Sequence, residues 1–385
     1  MHFWDAYQNF VLERVIPIMP DSKTTILVAT FPEGQTGPHV FLRALLEHAE
    51  FRNRCDAVLW HVPDHYRGIA GKRRLFRDAK ARLDAAHAKH VFLNLDLSLA
   101  FWLCIAFRLA GAKRLVTRSL NSVFSHPATR FGRYFYRLGV SKLAHVRIAI
   151  SREAAHAMYV GAADDVVMIP CLIDFNTLHS RATALPERQR DTGENFVFGC
   201  VGRLMAQKNQ AIIIRALADL IQQAGHADLL LVGEGEDQSM LMALAATLGI
   251  TDRVQFMRVT DNIGAVFRGR IDALLVPSLY EGQGRIVAEA QSFGLPIALS
   301  SGIPRMAALN ANGVIMDVPQ EAGAWCSAMQ QLMRMPRTPA WPQDALNQHA
   351  LSLAHGVGMF CDVLTGNKNT AAPKTANEHE ATNAQ

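Results

Sequence analysis

Short apolar runs alternate with amphipathic segments along both halves of the chain. In the first half Thr24 to Thr30, Ala57 to Val62, His90 to Leu95, Arg114 to Arg118 and Val146 to Ser151 read as strands. Helical periodicity falls near 38–50, 70–88, 98–110, 127–143 and 152–160. A second series follows: Phe196 to Val201, Asp228 to Val232, Val254 to Met257, Ala273 to Pro277, Pro296 to Ser300 and Gly313 to Val318, again with helices between. This alternation predicts α/β architecture, two facing Rossmann-like doubly wound domains with ligands at the carboxyl ends of the strands. A polar stretch from Ser180 to Asn195 separates the series. The expected division is a first domain over 1–175, a linker over 176–195, a second domain over 196–342, a helix over 343–365 and a disordered tail over 366–385.

The stretch from Ile271 to Ser301 is the richest in candidate chemistry. It reads as a buried strand, a glycine-bearing turn and a helix, with Glu281 in the turn and Glu289 in the helix. Gly282 and Gly284 let backbone approach a ligand closely, and the amides that open a helix make a phosphate site. Phosphates at the turn, a sugar near Glu281 and ribose hydroxyls near Glu289 would suit a nucleotide sugar. The plainer alternative makes Glu289 half of an exposed ion pair with Arg285, four residues earlier. Upstream, the second domain's first strand runs into Val201-Gly202-Arg203-Leu204, with Gln207-Lys208-Asn209 at the next helix start. Arg203 and Lys208 could neutralise a diphosphate leaving group without a metal, and the chain has no Asp-x-Asp pair to seat a divalent cation. In the first domain, Gly34 and Gly37 precede a helix in FPEGQTGPHV, without the ending of a nucleotide-triphosphatase loop.

Charge and composition narrow the classes. Half of the 385 residues are hydrophobic and 19% are charged, as expected of a globular protein with two cores. The six cysteines have no close pair, which indicates neither a zinc knuckle nor a disulfide framework and fits a reducing cytoplasm. The N-terminal segment, interrupted by Asp5 and Glu13, does not read as a signal peptide, and its apolar face suits core packing or a membrane surface. Residues 1–175 hold 23 Lys+Arg against 15 Asp+Glu, net +8, and the remainder is net −3. From Leu97 to Arg152 there are ten basic residues and no acidic one. Such a surface attracts polyanions. Without an aromatic stacking platform or a recognised binding motif, nucleic acid is not the expected partner; an anionic membrane face, or an acceptor carrying a diphosphate, is.

These motifs together resemble a known family. The ordered set VVMIPCLID, VGRLMAQKNQ, LLLVGEGEDQSMLMALAATLGITDRVQFM, the Asp272 to Ser278 strand and EGQGRIVAEAQSFGLPIALSS is similar to the nucleotide-binding half of family 4 retaining glycosyltransferases, which have the GT-B fold. The run VPSLYEG followed by EAQSFGLP resembles the subgroup that builds capsular and exopolysaccharides. The resemblance implies that Arg203 and Lys208 bind the donor diphosphate and act in catalysis with Glu281, which would lie beside the transferred sugar. Gly202 and the backbone of Gly282, Gln283, Gly284, Arg285 and Ile286 would contact the phosphates, Glu234 and Gly235 the nucleotide, and Glu289 the ribose. It implies metal-independent transfer from a nucleotide sugar, with no cofactor, to a lipid-diphosphate-linked saccharide or similar acceptor, at the cytoplasmic side of a membrane.

The first domain departs from that pattern. Where relatives carry a His-x-His-Asn segment, this chain has Arg118, Leu120 and Asn121, and the linker's usual Asn-Gly is Cys171-Leu172. Gly34, Gly37, His39, Arg118 and Asn121 are the acceptor-side candidates, with His126 as a further one. Two other classes stay open: a catalytically silent homologue that binds nucleotide sugar, and a nucleotide-cofactor oxidoreductase, against which the lack of a complete Gly-x-Gly-x-x-Gly speaks.

Overall fold

The apolar runs become strands because both faces of a parallel sheet are covered, which demands near-continuous hydrophobic sequence. A computed structural model describes residues 23–31, 37–63, 66, 68–120, 130–161, 165–191, 193–223, 226–258, 260, 262–310 and 313–367. The chain divides into unit 1, Met1–Leu172 with Ala350–Gln385, and unit 2, Ile173–His349. Each contains a six-stranded parallel sheet. The expected N-terminal apolar face and the tail beyond residue 367 lie outside the described residues.

Unit 1 orders its strands β2-β1-β3-β4-β5-β6, from β1 (Thr24–Thr30), β2 (Cys55–His61), β3 (His90–Asn94), β4 (Arg114–Ser119), β5 (Val146–Ala149) and β6 (Val167–Met168). Helices α1 (Gly37–Glu47), α2 (Ala49–Arg54), α3 (Gly68–Ala85), α4 (Leu97–Leu109), α5 (Arg130–Leu143) and α6 (Arg152–Met158) complete the alternation. Unit 2 continues with α7 (Phe175–Ala182), β7 (Phe196–Val201), α8 (Gln210–Gln222), β8 (Ala227–Val232), α9 (Gln238–Thr247), β9 (Val254–Met257), α10 (Ile263–Gly269), β10 (Ala273–Val276), α11 (Arg285–Gln291), β11 (Ile297–Ser300), β12 (Val314–Val318), α12 (Ala322–Leu332) and α13 (Gln343–Gln348). Its sheet order is β12-β11-β10-β7-β8-β9. The chain therefore starts at β7, moves outward through β8 and β9, then crosses to β10 on the other side. The crevice beyond the carboxyl ends of β7 and β10 is this sheet's topological switch point, where ligands of open α/β sheets bind.

Three expectations are corrected. The first unit ends at Leu172, not at 175. Residues from 176 are no plain linker, because α7 packs on α10 and buries Ala182 completely, with Leu178 against the same cluster. The single helix over 343–365 is two, α13 and α14 (Leu353–Thr365), and the second belongs to unit 1. There Phe360 stacks edge-on between Phe41 (5.5 Å) and Phe92 (5.4 Å). The last carbonyls of α14 are satisfied by buried side chains: Arg114 Nε donates to Val363 O (2.9 Å) and His90 Nδ1 to Leu364 O (3.1 Å). Arg54 pairs with Asp362 and donates to Gly358 O at 3.2 Å. All six cysteines are buried and none forms a disulfide.

Burial holds the His90 pKa below its ordinary value near 6.5. The unfolded chain then takes up a proton at about pH 6.5 that the folded chain takes up only at lower pH, so stability is full above that value and is lost as pH falls through the folded pKa. Thermal melts should therefore show a falling midpoint from pH 7.5 towards pH 5.5, less steeply in His90→Gln, which keeps a donor for Leu364 O. Identical slopes for the two proteins would remove His90 as a source.

Candidate functional site

Two loops meet at the switch point of unit 2, one following β7 and the other β10. The first is shaped by glycine. Gly202 has φ 152° and Gly233, after β8, has φ 154°. A Cβ on Gly233 would lie 1.9 Å from Gly202 O, and one on Gly235 would lie 2.1 Å from Leu204 O. Leu204 N–H donates to Glu234 O (3.0 Å) and Asp237 N–H to Leu204 O (3.0 Å), which laces the two loops together. The Lys208 stem lies over Gly202, its Cε 3.5 Å from the place a Cβ would take.

Lys208 closes a short 3-10 turn, Ala206–Lys208, and Asn209 follows in the left-handed region (φ 50°). Lys208 Nζ donates to Glu281 Oε1, which also accepts from Ser278 Oγ at 2.9 Å. The pair is mostly enclosed, with side chains 21% and 14% exposed. The β10 loop is held from two sides. Leu279 N–H donates to Gln207 O (2.8 Å), Gln207 Nε2 donates to Tyr280 O (2.9 Å), and Glu281 N–H donates to Gly302 O (3.1 Å) in the loop after β11. Beneath them the buried Cys200 thiol is pushed up to about 12 by desolvation, opposed by the Lys208 charge.

Past Glu281, Gln283 and Gly284 are buried and α11 begins at Arg285, capped by Gly284 at φ 76°. Arg285 Nη2 bonds Glu289 Oε1 at 2.8 Å. This is the four-residue ion pair of the plainer sequence alternative, yet it is not exposed, since its side chains are 13% and 12% accessible. Arg203 is exposed on the same loop as Lys208, and its carbonyl accepts from Gln210 Nε2 (2.8 Å). Glu234 is exposed and pairs with Arg258 at 2.6 Å. Unit 2 thus brings Gly202, Lys208, Ser278 and Glu281 together. Sequence reading missed Ser278, Gln207, Asn209 and Gln320 as parts of this site, although the first three stand inside motifs it singled out. Among the described residues no cluster of three or more His, Cys, Asp or Glu could hold a metal ion.

The acceptor-side candidates belong to unit 1. Arg118 is wholly buried, its guanidinium 4.0 Å from the Phe41 ring centre and 5.7 Å from that of Phe360. It also donates to Pro170 O (3.4 Å) and Cys171 Sγ (3.3 Å). Such packing makes Arg118 a core residue of unit 1. Gly37 opens α1, and His39, half-buried, lies in its first turn. Gly34, Asn121 and His126 lie outside the described residues.

Residues 182–345 match the family model described as glycosyl transferases group 1. The matched residues fall within unit 2. The chain is 33% identical over 168 residues to a D-inositol 3-phosphate glycosyltransferase of Salinispora tropica, covering 40% of this chain and 34% of that protein. It is 31% identical to a 2-deoxystreptamine glucosyltransferase of Streptomyces kanamyceticus, covering 37% and 38%. The chain spans about a third of the length of the curated relatives it matches. Among solved structures, Anabaena Alr3699/HepE in complex with UDP and glucose superposes with a TM-score of 0.64 at 18% identity, covering 90% of this chain and 97% of that one. WaaG, a glycosyltransferase involved in lipopolysaccharide biosynthesis, does so with 0.61 at 15%, covering 89% and 100%. Both units thus have the fold of GT-B glycosyltransferase structures.

In unit 2 Gly233→Ala should destabilise the protein by roughly 1–3 kcal/mol, since the methyl group collides with a backbone carbonyl at a φ that favours glycine. Urea unfolding measures it, and an unchanged midpoint would show that the two loops give way freely.

Proposed function

We propose that the protein is a retaining, metal-independent glycosyltransferase of the family 4 type. It takes a hexosyl or related sugar from a nucleotide sugar and passes it to a lipid-diphosphate-linked or other saccharide acceptor in polysaccharide or glycan biosynthesis. The observation that carries this reading is the Lys208–Glu281 pair at the switch point of unit 2. An ammonium has three donors, and Glu281 takes one, so Lys208 can hold the carboxylate and still meet phosphate oxygens. With Arg203 exposed on the same loop, two cations stabilise the charge that grows on the departing nucleoside diphosphate. The backbone from Gly282 to Ile286 takes the phosphates, Glu281 lies beside the sugar, and Glu289, steered by Arg285, takes the ribose. That the HepE structures hold UDP, and in one case UDP-glucose, supports a uridine nucleotide as first probe.

Lys208→Ala should weaken UDP binding by about 1.5–3 kcal/mol, the scale of a charged hydrogen bond, which is roughly 10- to 150-fold. Arg203→Ala should act in the same direction but less, because its exposed charge is screened. Unchanged affinity by calorimetry would remove both from the site. Slow hydrolysis of UDP-glucose or another nucleotide sugar by the purified protein, lost in Glu281→Ala, separates an active transferase from a silent binder.

A cytoplasmic location on the inner face of a membrane belongs to the same proposal. Helix α5 presents Phe131 (82% exposed), Tyr134 (52%) and Phe135 (55%) at i, i+3 and i+4, in the stretch without acidic residues. Exposed rings beside Arg and Lys suit the boundary of an anionic bilayer. Among the described residues no helix is long and apolar enough to cross a membrane. Co-sedimentation with anionic vesicles should fall with added salt and with Phe131→Ser, Phe135→Ser; equal binding to neutral vesicles would count against the surface.

A further inference from the structure

Lys208 stands between two side-chain amides, and both are tied to the strand end that carries Glu281. On one side is Gln207, bonded to Tyr280 O and, through its own carbonyl, to Leu279 N–H. On the other, Asn209 Nδ2 donates to Gln320 Oε1 at 2.8 Å. Gln320 Nε2 donates in turn to Pro277 O (3.2 Å) and Ser278 O (3.3 Å). Gln320 comes from the loop after β12, at the sheet's edge, and reaches the carboxyl end of β10 across β11. Its amide both accepts and donates at one tip, which this bridge requires; a carboxylate of the same size accepts only and would face two carbonyl oxygens.

We infer that Gln320 is a positioning residue for Lys208: by clamping the turn 206–209 to Pro277 and Ser278, it holds the ammonium on Glu281 before a diphosphate arrives. This rests on the proposed reading of Lys208 and Glu281 as the donor site. A lysine stem is long and flexible, and a pocket that fixes it in advance leaves less ordering to be done on binding. Asn209 is suited to its end of the clamp, because Asn tolerates the left-handed backbone while offering a side-chain donor.

The test compares Gln320→Ala and Gln320→Glu with Asn209→Gly, which keeps the left-handed turn and removes the same bridge from its other end. Asn209→Gly carries the test even where a Gln320 variant does not fold. In ligand-free protein, acylation of lysines by an N-hydroxysuccinimide ester, read by peptide mass spectrometry, should accelerate severalfold at Lys208 and stay constant at Lys80 and Lys142. In calorimetry UDP affinity should fall about fivefold in Gln320→Ala, the size of one neutral hydrogen bond, and should fall no further when Gln320→Ala is added to Lys208→Ala. Equal acylation of Lys208 in wild type and variants overturns the inference whatever UDP does. A loss of UDP affinity of equal size with and without Lys208 overturns it as well, because the effect then bypasses the lysine. Should wild-type protein bind no UDP while the variants still expose Lys208, the donor reading fails and the positioning stands.

Discussion

An ion pair across the reversal of a sheet sets the terms for the rest of unit 2. Lys208 follows β7 and Glu281 follows β10, and the two strands are neighbours only because the chain turns back past its own starting strand. Removing a carboxylate and an ammonium from water costs free energy that their attraction offsets only when geometry and further hydrogen bonds are good. Here the Ser278 hydroxyl shares the carboxylate oxygen, and backbone bonds from the β7 and β11 loops hold Glu281 in place. The glycines at 202, 233 and 235 belong to the same constraint, since side chains there would push the β7 and β8 loops apart and lift the support under the Lys208 stem.

Unit 1 treats a comparable charge in the opposite way. Arg118 also stands near the carboxyl end of a central strand, but its guanidinium is turned into the core and lies against aromatic rings. Cation–ring contact and bonds to Pro170 O and Cys171 Sγ make a buried cation tolerable there. One unit leaves its charges at a crevice, and the other spends one on packing.

Strands were legible because burial on both faces leaves a continuous apolar signature: Phe196–Val201 and Val254–Met257 have the bounds that the pattern predicts. Lys208 and Glu281 were legible as candidates because glycine-bearing turns before helices are local features. Gln320 was not, since its partners lie 111 residues upstream and more than forty away on another loop, and nothing local distinguishes a bridging glutamine from a solvated one. Periodicity likewise joined α13 to α14, because it reports which positions are apolar without saying which core receives them. Polar composition made 176–195 look like a linker, while Ala182 and Leu178 were enough to dock α7.

The return of α14 to unit 1 has a consequence for biosynthesis on the ribosome. Unit 2 is one uninterrupted stretch and is complete once residue 349 has emerged, whereas unit 1 still lacks the helix whose Phe360 fills the space between Phe41 and Phe92. The segment made first is therefore finished last, and its apolar face stays uncovered throughout translation of the whole second unit, an interval in which such surfaces are prone to aggregate.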